Sequence, residues 1–189
     1  MCGIFALRVE NIKQSQHQYV KDSFDKIQGR GPDDSQLIKL HDKHKSGNIT
    51  QYIGFHRLAI NGLDSSSNQP MIDNELTLIC NGEIYNHKEL NEEHGFTPKS
   101  NSDCEVIIHL YRAYGVDFVN MLDGVFAFLL FDSNARKMLI GRDPIGVRPL
   151  FYQIQGNNVA FASEAKSFIG LNDIVAGSNA IFRTAGTGK

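Results

Sequence analysis

No run of apolar residues in this 189-residue chain approaches the roughly 20 that a membrane-spanning helix requires, so no membrane partner is expected. Charge is close to balanced. Nineteen Lys and Arg stand against 21 Asp and Glu, a formal net charge of −2, which removes the electrostatic basis for binding nucleic acid or an anionic lipid surface. Cysteine is scarce: Cys2, Cys80 and Cys104 are odd in number and widely spaced. That argues against a disulfide framework and fits a reducing, cytoplasmic location. No C-x-x-C or H-x-x-x-H pairing occurs among the cysteines and seven histidines, so no zinc or other metal site is expected. A secretory leader is not expected either, because the apolar opening CGIFAL is short and Arg8 follows it.

What is present has an ordinary globular composition, 41% hydrophobic and 21% charged, in a chain long enough to bury a sizeable core. One domain is expected over residues 1–170. Residues 171–189 are then a C-terminal tail or the start of a linker. IFALRV opens as a strand, and Tyr19, Val20, Phe24 and Ile27 recur at the spacing of one helix face. RGPDD breaks that helix. SQLIKL and TQYIGFHRLAI read as strands, HDKHKSGN (with an NIT sequon at Asn48) as a solvated loop, and NGLDSSSNQP as another loop. ELTLICNGEIY is a strand running into a turn. Asn86 with Glu89, and Ser102 with Glu105, fit helix N-caps supported by a carboxylate three residues on. VFAFLLFD, KMLIGRD, RPLFYQIQ and VAFAS supply further strands. Antiparallel-looking strands with helices grouped between them predict an α+β layered fold.

The opening MCGIFAL places a thiol directly after the initiator methionine. A cysteine thiol titrates near pH 8.5 and needs a base to become a nucleophile at neutral pH. An α-amino group titrates at about 7.7–8.0, so a Cys2 freed of Met1 would carry nucleophile and base on one residue. A second segment, CNGEIYN, has the parts of an oxyanion site. The Asn81 side-chain amide and the Gly82 backbone N–H are donors, and Gly permits close approach. Each signal alone is weak, since NG is also a common turn dipeptide.

MCGIFA, RGPDD, FHRLAI, NQPM, NGEIYNHKEL, SDCEVIIHLY, LDGVFAFLLFD, GRDPIGVRPLFY and ASEAKS occur in this order over about residues 2–168. The series resembles class II glutamine amidotransferase domains, which are N-terminal nucleophile hydrolases. NGEIYNH is most similar to the glutaminase branch found in glutamine-hydrolysing asparagine synthetases. The resemblance implies a four-layer αββα fold of two antiparallel sheets between helix layers. It implies that Cys2 is the nucleophile, its freed amine the base, and Asn81 with Gly82 the oxyanion hole. Arg57 would grip the glutamine α-carboxylate, with backbone around Ile60 and Asn61 lining the pocket. Asp103 would hold the α-ammonium, beside Glu83.

Arg30 matches a family arginine, although many relatives carry His where this chain has Gly29. Cys80 and Cys104 are expected to fill the core. SEAK at Ser163–Lys166 fits the S-x-x-K pattern of serine β-lactamases, and the terminal AGTGK evokes a phosphate loop, but both lack their companion elements.

Under this resemblance glutamine is hydrolysed to glutamate and ammonia through a Cys2 thioester, with no cofactor. ATP and magnesium belong to a synthetase domain whose SGGLDS-type motif is not in these 189 residues. The expected partners are L-glutamine and a synthetase domain or subunit that takes up ammonia, with a homo-oligomer compatible. The alternatives are a non-catalytic glutamine-binding or assembly module and an amidotransferase serving another acceptor.

Overall fold

The apolar opening forms strand β1 (Gly3–Glu10), in a computed structural model that describes residues 1–41, 49–60, 65–171, 174 and 183–184. The chain divides into two units. One comprises Met1–Leu58 and Pro149–Ala185, the other Ala59–Arg148 and Gly186–Lys189.

In the first unit β1 lies inside a six-stranded sheet. Its companions are β2 (Asp34–His41), β3 (Ile49–Arg57), β8 (Phe151–Gln155), β9 (Asn158–Ala162) and β10 (Arg183–Thr184). Their order is β10-β8-β9-β1-β3-β2, and every pairing is antiparallel. Ile4, Phe5, Ala6 and Leu7 are all fully buried, so both faces of this strand are covered, as a continuous apolar run predicts. Helix α1 (His17–Asp25) sets Val20 and Phe24, with Ile27 just beyond it, among Phe5, Leu7, Val9 and Tyr52. That is the i, i+4, i+7 stripe of an amphipathic helix. Tyr19, read from the sequence as part of that stripe, is 47% exposed, because one residue step turns it about 100° off the face. Gly54 in β3 makes the contact possible: a Cβ there would lie 2.6 Å from the Phe24 ring. The ring stacks on His56 at 3.8 Å and 9°.

The second unit holds a four-stranded antiparallel sheet of order β4-β5-β6-β7. Its strands are β4 (Met71–Asp73), β5 (Leu76–Ile84), β6 (Gly124–Asp132) and β7 (Lys137–Arg142). Helices α2 (His87–Glu93) and α3 (Val106–Tyr114) belong to it. Leu76, Leu78 and Cys80 of β5 and Phe126, Phe128 and Leu130 of β6 share a cluster with Val106, Ile107 and Leu110 of α3. The period of two along each strand aims these side chains at one face. Cys80 and Cys104 sit in this core.

Three local expectations are corrected. Asn86 stands at the N-cap of α2 without capping it. Its Nδ2 instead donates to Met121 O at 2.9 Å, and its Oδ1 accepts the Asp123 N–H at 3.0 Å. Ser102 makes no side-chain cap, and Glu105 accepts the backbone N–H groups of Lys99 (2.7 Å) and Ser100 (2.8 Å), tying down the incoming loop. The strand expected through Ile60 ends at Arg57. Residues 42–48 of the predicted HDKHKSGN loop, and the first four positions of the NGLDSSSNQP loop, lie outside the described residues.

Candidate active site

In the first unit, the register Gly3↔His56 brings Cys2 to the end of β1 as Arg57 ends β3. The two side chains thus belong to adjacent strand ends. Leu58 N–H donates to Cys2 Sγ at 3.4 Å, and the thiol donates to Leu58 O at 3.5 Å. Both are within range for sulfur, so the thiol is oriented by backbone and not packed as an apolar filler. Cys2 is partly exposed and Met1 about half exposed. Arg57 is 8% exposed, which gives a guanidinium fork little freedom and suits bidentate grip of a carboxylate.

The segment RGPDD lies along this same pair of strand ends. Asp33 N–H donates to Arg57 O at 3.0 Å. A Cβ at Gly31 would fall 2.3 Å from His56 O, so only glycine lets the loop approach β3 this closely. The loop carries Arg30, whose Nε donates to Cys2 O at 2.9 Å and whose Nη1 pairs with Glu164 at 3.1 Å. A Cβ at Gly29 would meet nothing within 4 Å. Beneath the loop His56 is fully buried. Its Nδ1 lies 2.7 Å from Ser35 Oγ and its Nε2 3.0 Å from Phe24 O. A carbonyl can only accept, so Nε2 carries the proton and Nδ1 accepts from the hydroxyl. Burial holds this imidazole below its ordinary pKa.

In the second unit the edge of β5 supplies the other predicted residues. Tyr85 N–H bonds Asp123 O, and Asp143 N–H bonds Phe126 O. With the register Gly82↔Phe126, ladder alternation turns the backbone groups of Cys80, Gly82 and Ile84 away from β6. Two of these three positions are plugged by side chains. Gln69 accepts the Cys80 N–H at 2.6 Å and donates to Cys80 O at 3.1 Å. Asp103 Oδ2 accepts the Ile84 N–H at 2.7 Å. Gly82, between them, keeps its N–H directed to the same edge. A Cβ there would lie 2.3 Å from Val125 O, so the close approach of β6 requires glycine.

Asn81 is 2% exposed, and its Nδ2 has no hydrogen-bond partner among the described residues. A buried amide donor left unpaired costs about 1–3 kcal/mol, a cost that an acceptor brought by a ligand would remove. Asn81 and Glu83 project to one face of β5 and Cys80 to the other. Asp103 is 7% exposed. Burial pushes its carboxyl above the ordinary range, partly offset by the N–H groups of Ile84 and of Asp103 itself, while Glu83 adds like charge. A cationic ligand at Asp103 would remove that cost.

Of the pocket-lining backbone expected around Ile60 and Asn61, Ile60 is 64% exposed and Asn61 lies outside the described residues. Within the first unit Cys2, Arg57 and Arg30 come together; within the second, Asn81, Gly82, Glu83 and Asp103 do. Sequence reading missed Gln69 as the clamp on Cys80 and Glu164 as the partner of Arg30. It also left Asp143 without a role. Although burial disfavours its charge, the N–H groups of Val147, Arg148, Gly146 and Phe126 outweigh that and hold the Asp143 carboxyl below its ordinary range. The turn over residues 142–148 is folded around it. No three His, Cys, Asp or Glu among the described residues are grouped to hold a metal ion, and none of the described helices is long and apolar enough to cross a membrane.

The family described as glutamine amidotransferase domain matches residues 1–182. Asparagine synthetase [glutamine-hydrolyzing] 1 of Arabidopsis thaliana is 40% identical over 182 residues, covering 92% of this chain and 28% of that protein. The asparagine synthetase [glutamine-hydrolyzing] of Sandersonia aurantiaca is 42% identical over 180 residues, covering 92% and 32%. This chain therefore spans under a third of the length of either relative. Among solved structures, glutamine phosphoribosylpyrophosphate amidotransferase from B. subtilis superposes with a TM-score of 0.71 at 23% identity, covering 98% of this chain and 45% of that one. That likeness gives the fold, α+β with antiparallel sheets. On this family match and these relatives, the chain belongs to the glutamine amidotransferase domain family.

Proposed function

We propose that residues 1–170 form a glutaminase that hydrolyses L-glutamine through a Cys2 thioester and delivers ammonia to an asparagine-forming synthetase domain or subunit. The observation that carries this reading is the buried Asn81 amide, unpartnered among the described residues, next to the Gly82 N–H on the β5 edge. Two donors on consecutive residues of a strand can serve a tetrahedral oxyanion.

Loss of Met1 frees the Cys2 amine, which takes the thiol proton as the sulfur attacks the side-chain amide carbon. Asn81 Nδ2 and Gly82 N–H take the developing oxyanion. The protonated amine then gives its proton to the leaving nitrogen, ammonia departs, and a glutamyl thioester is left. Water, deprotonated by the same amine, attacks the thioester and releases glutamate. Arg57 receives the α-carboxylate and Asp103 the α-ammonium, with Glu83 adding negative charge. Each step uses only groups of the chain, the substrate and water, so the half-reaction needs no cofactor. ATP and magnesium would serve the synthetase reaction. Asparagine formation is inferred from relatives that are asparagine synthetases, and the three cysteines, none of them in a disulfide, suit a reducing cytoplasm.

Intact mass and glutaminase assay on wild type and Cys2→Ala test this reading. The expected outcome is wild-type protein lacking Met1 that releases glutamate, and a Cys2→Ala variant that releases none. A wild type that keeps Met1 and shows no turnover would favour a glutamine-binding module. Equal activity in both proteins would remove Cys2 as nucleophile.

A further inference from the structure

The SEAK segment, which as a β-lactamase motif had no companions, lies against the strand that carries the nucleophile. Ser163 meets Ile4 twice: its N–H donates to Ile4 O at 3.0 Å, and its Oγ accepts the Ile4 N–H at 3.0 Å. Ser163 is fully buried. The next residue, Glu164, pairs with Arg30 Nη1 at 3.1 Å and with Lys166 Nζ at 2.7 Å. Arg30, its side chain 12% exposed, donates from Nε to Cys2 O at 2.9 Å. Its third nitrogen, Nη2, is buried without a partner among the described residues, so the Glu164 and Cys2 contacts alone set the guanidinium plane.

A trimmed Cys2 loses the peptide link to Met1 and keeps one main-chain acceptor, its carbonyl. Whatever holds that carbonyl fixes rotation about the terminal residue, and with it both the Sγ and the α-amine. We propose that Glu164 is a positioning residue for the Cys2 nucleophile, acting through Arg30 on the Cys2 carbonyl. The inference rests on the glutaminase reading for its rate consequence but not for its geometry. Misplacing a reacting group by about 1 Å can cost on the order of a hundredfold. Glu164 also sets charge. Around Cys2 stand Arg30 and Arg57, and Lys166 lies beyond Glu164. Neutralising Glu164 leaves Arg30 uncompensated, which favours the thiolate and the neutral amine.

The test uses the full chain trimmed of Met1, with Glu164→Gln, Glu164→Asp, Arg30→Lys and the Glu164→Gln/Arg30→Lys double variant. Cys80 and Cys104 are buried, so iodoacetamide reads Cys2. Glu164→Gln should shift the pH midpoint of alkylation down by about half a unit. It should also lower kcat between about ten- and a hundredfold, with KM changed less than about twofold. Glu164→Asp should recover part of both. In the Arg30→Lys background Glu164→Gln should lower kcat little further, as expected for residues acting in series. An unmoved alkylation midpoint in Glu164→Gln, or kcat losses that add in full in the double variant, overturns the proposal. If wild type alkylates with this dependence yet turns over no glutamine, the glutaminase reading fails and the positioning role stands.

Discussion

Asp103 is costly to the empty protein and, on the glutaminase proposal, would be useful to the occupied one. Its burial raises the carboxyl pKa, so the folded state holds that proton more tightly than the unfolded chain. The stability it contributes is complete below its ordinary value of 3.8 and is lost as pH rises through the raised folded value. At pH 7 the ionised side chain is therefore a liability until a cation neutralises it. Asp103→Asn keeps an oxygen for the Ile84 N–H and removes the charge. The expected outcome is a higher melting temperature for the ligand-free variant at pH 7, together with a large rise in KM for glutamine. Scanning calorimetry and steady-state kinetics on the same preparation check both signs; a variant that melts lower would contradict the burial cost. Cys2, Arg57, Asn81 and Asp103 could be picked out in the sequence as candidates because their residue types suit the proposed chemistry. Gln69 and Glu164 could not, since each acts on a partner that only strand register supplies, 11 and 134 residues away.

At the scale of elements, β5 is a strand whose edge would serve, on the glutaminase proposal, as a binding surface. Gln69 and Asp103 close the positions on either side of Gly82, which confines the open N–H to one place. Gly82→Ala puts a Cβ 2.3 Å from Val125 O and 2.6 Å from Phe126 Cα. Both are backbone atoms, so the strands must separate. Overpacking of this kind costs about 1–3 kcal/mol, and displacing an oxyanion donor costs about 10²–10³ in kcat. The predicted variant has a lower urea midpoint and a kcat reduced at least a hundredfold, whereas Gly29→Ala, facing open space, leaves the urea midpoint unchanged. Chemical denaturation and turnover measured side by side would reveal a Gly82→Ala protein of normal activity, which would remove Gly82 from the oxyanion role. Most strands were readable from apolar and β-branched runs bounded by turn residues, whereas the short β4 and β10 were not. The capping boxes were not, because Asn86 and Glu105 found loop backbone in place of helix ends, a choice made by tertiary contacts that local spacing does not encode.

Across the whole chain, the two units carry buried titrating groups of opposite sign. In the first unit His56 is held neutral by burial, with its pKa below the ordinary 6.5. The unfolded chain binds that proton first as pH falls, so stability drops from about pH 6.5 down through the lowered folded value. Protonation also costs Nδ1 its ability to accept from Ser35. In the second unit Asp103 works the other way, regaining stability as acid protonates it. Asp143 and Asp73, held below 3.8, give up their contribution only at lower pH still. Mild acid should therefore loosen the first unit before the second. Hydrogen exchange read by mass spectrometry, with rates corrected for pH, should show β1–β3 peptides losing protection between pH 7 and 5 while β5–β6 peptides keep theirs. His56→Gln can donate to Phe24 O and accept from Ser35 without titrating, so it should flatten that difference at some loss of packing on Phe24. Uniform loss of protection in both units, or an unchanged difference in His56→Gln, would show that another group governs the acid response. The consequence for catalysis is directional: the strand carrying Cys2 pairs with the one carrying His56. On the glutaminase proposal, activity should then fall on the acid side through disorder at Cys2 as well as through protonation of its freed amine.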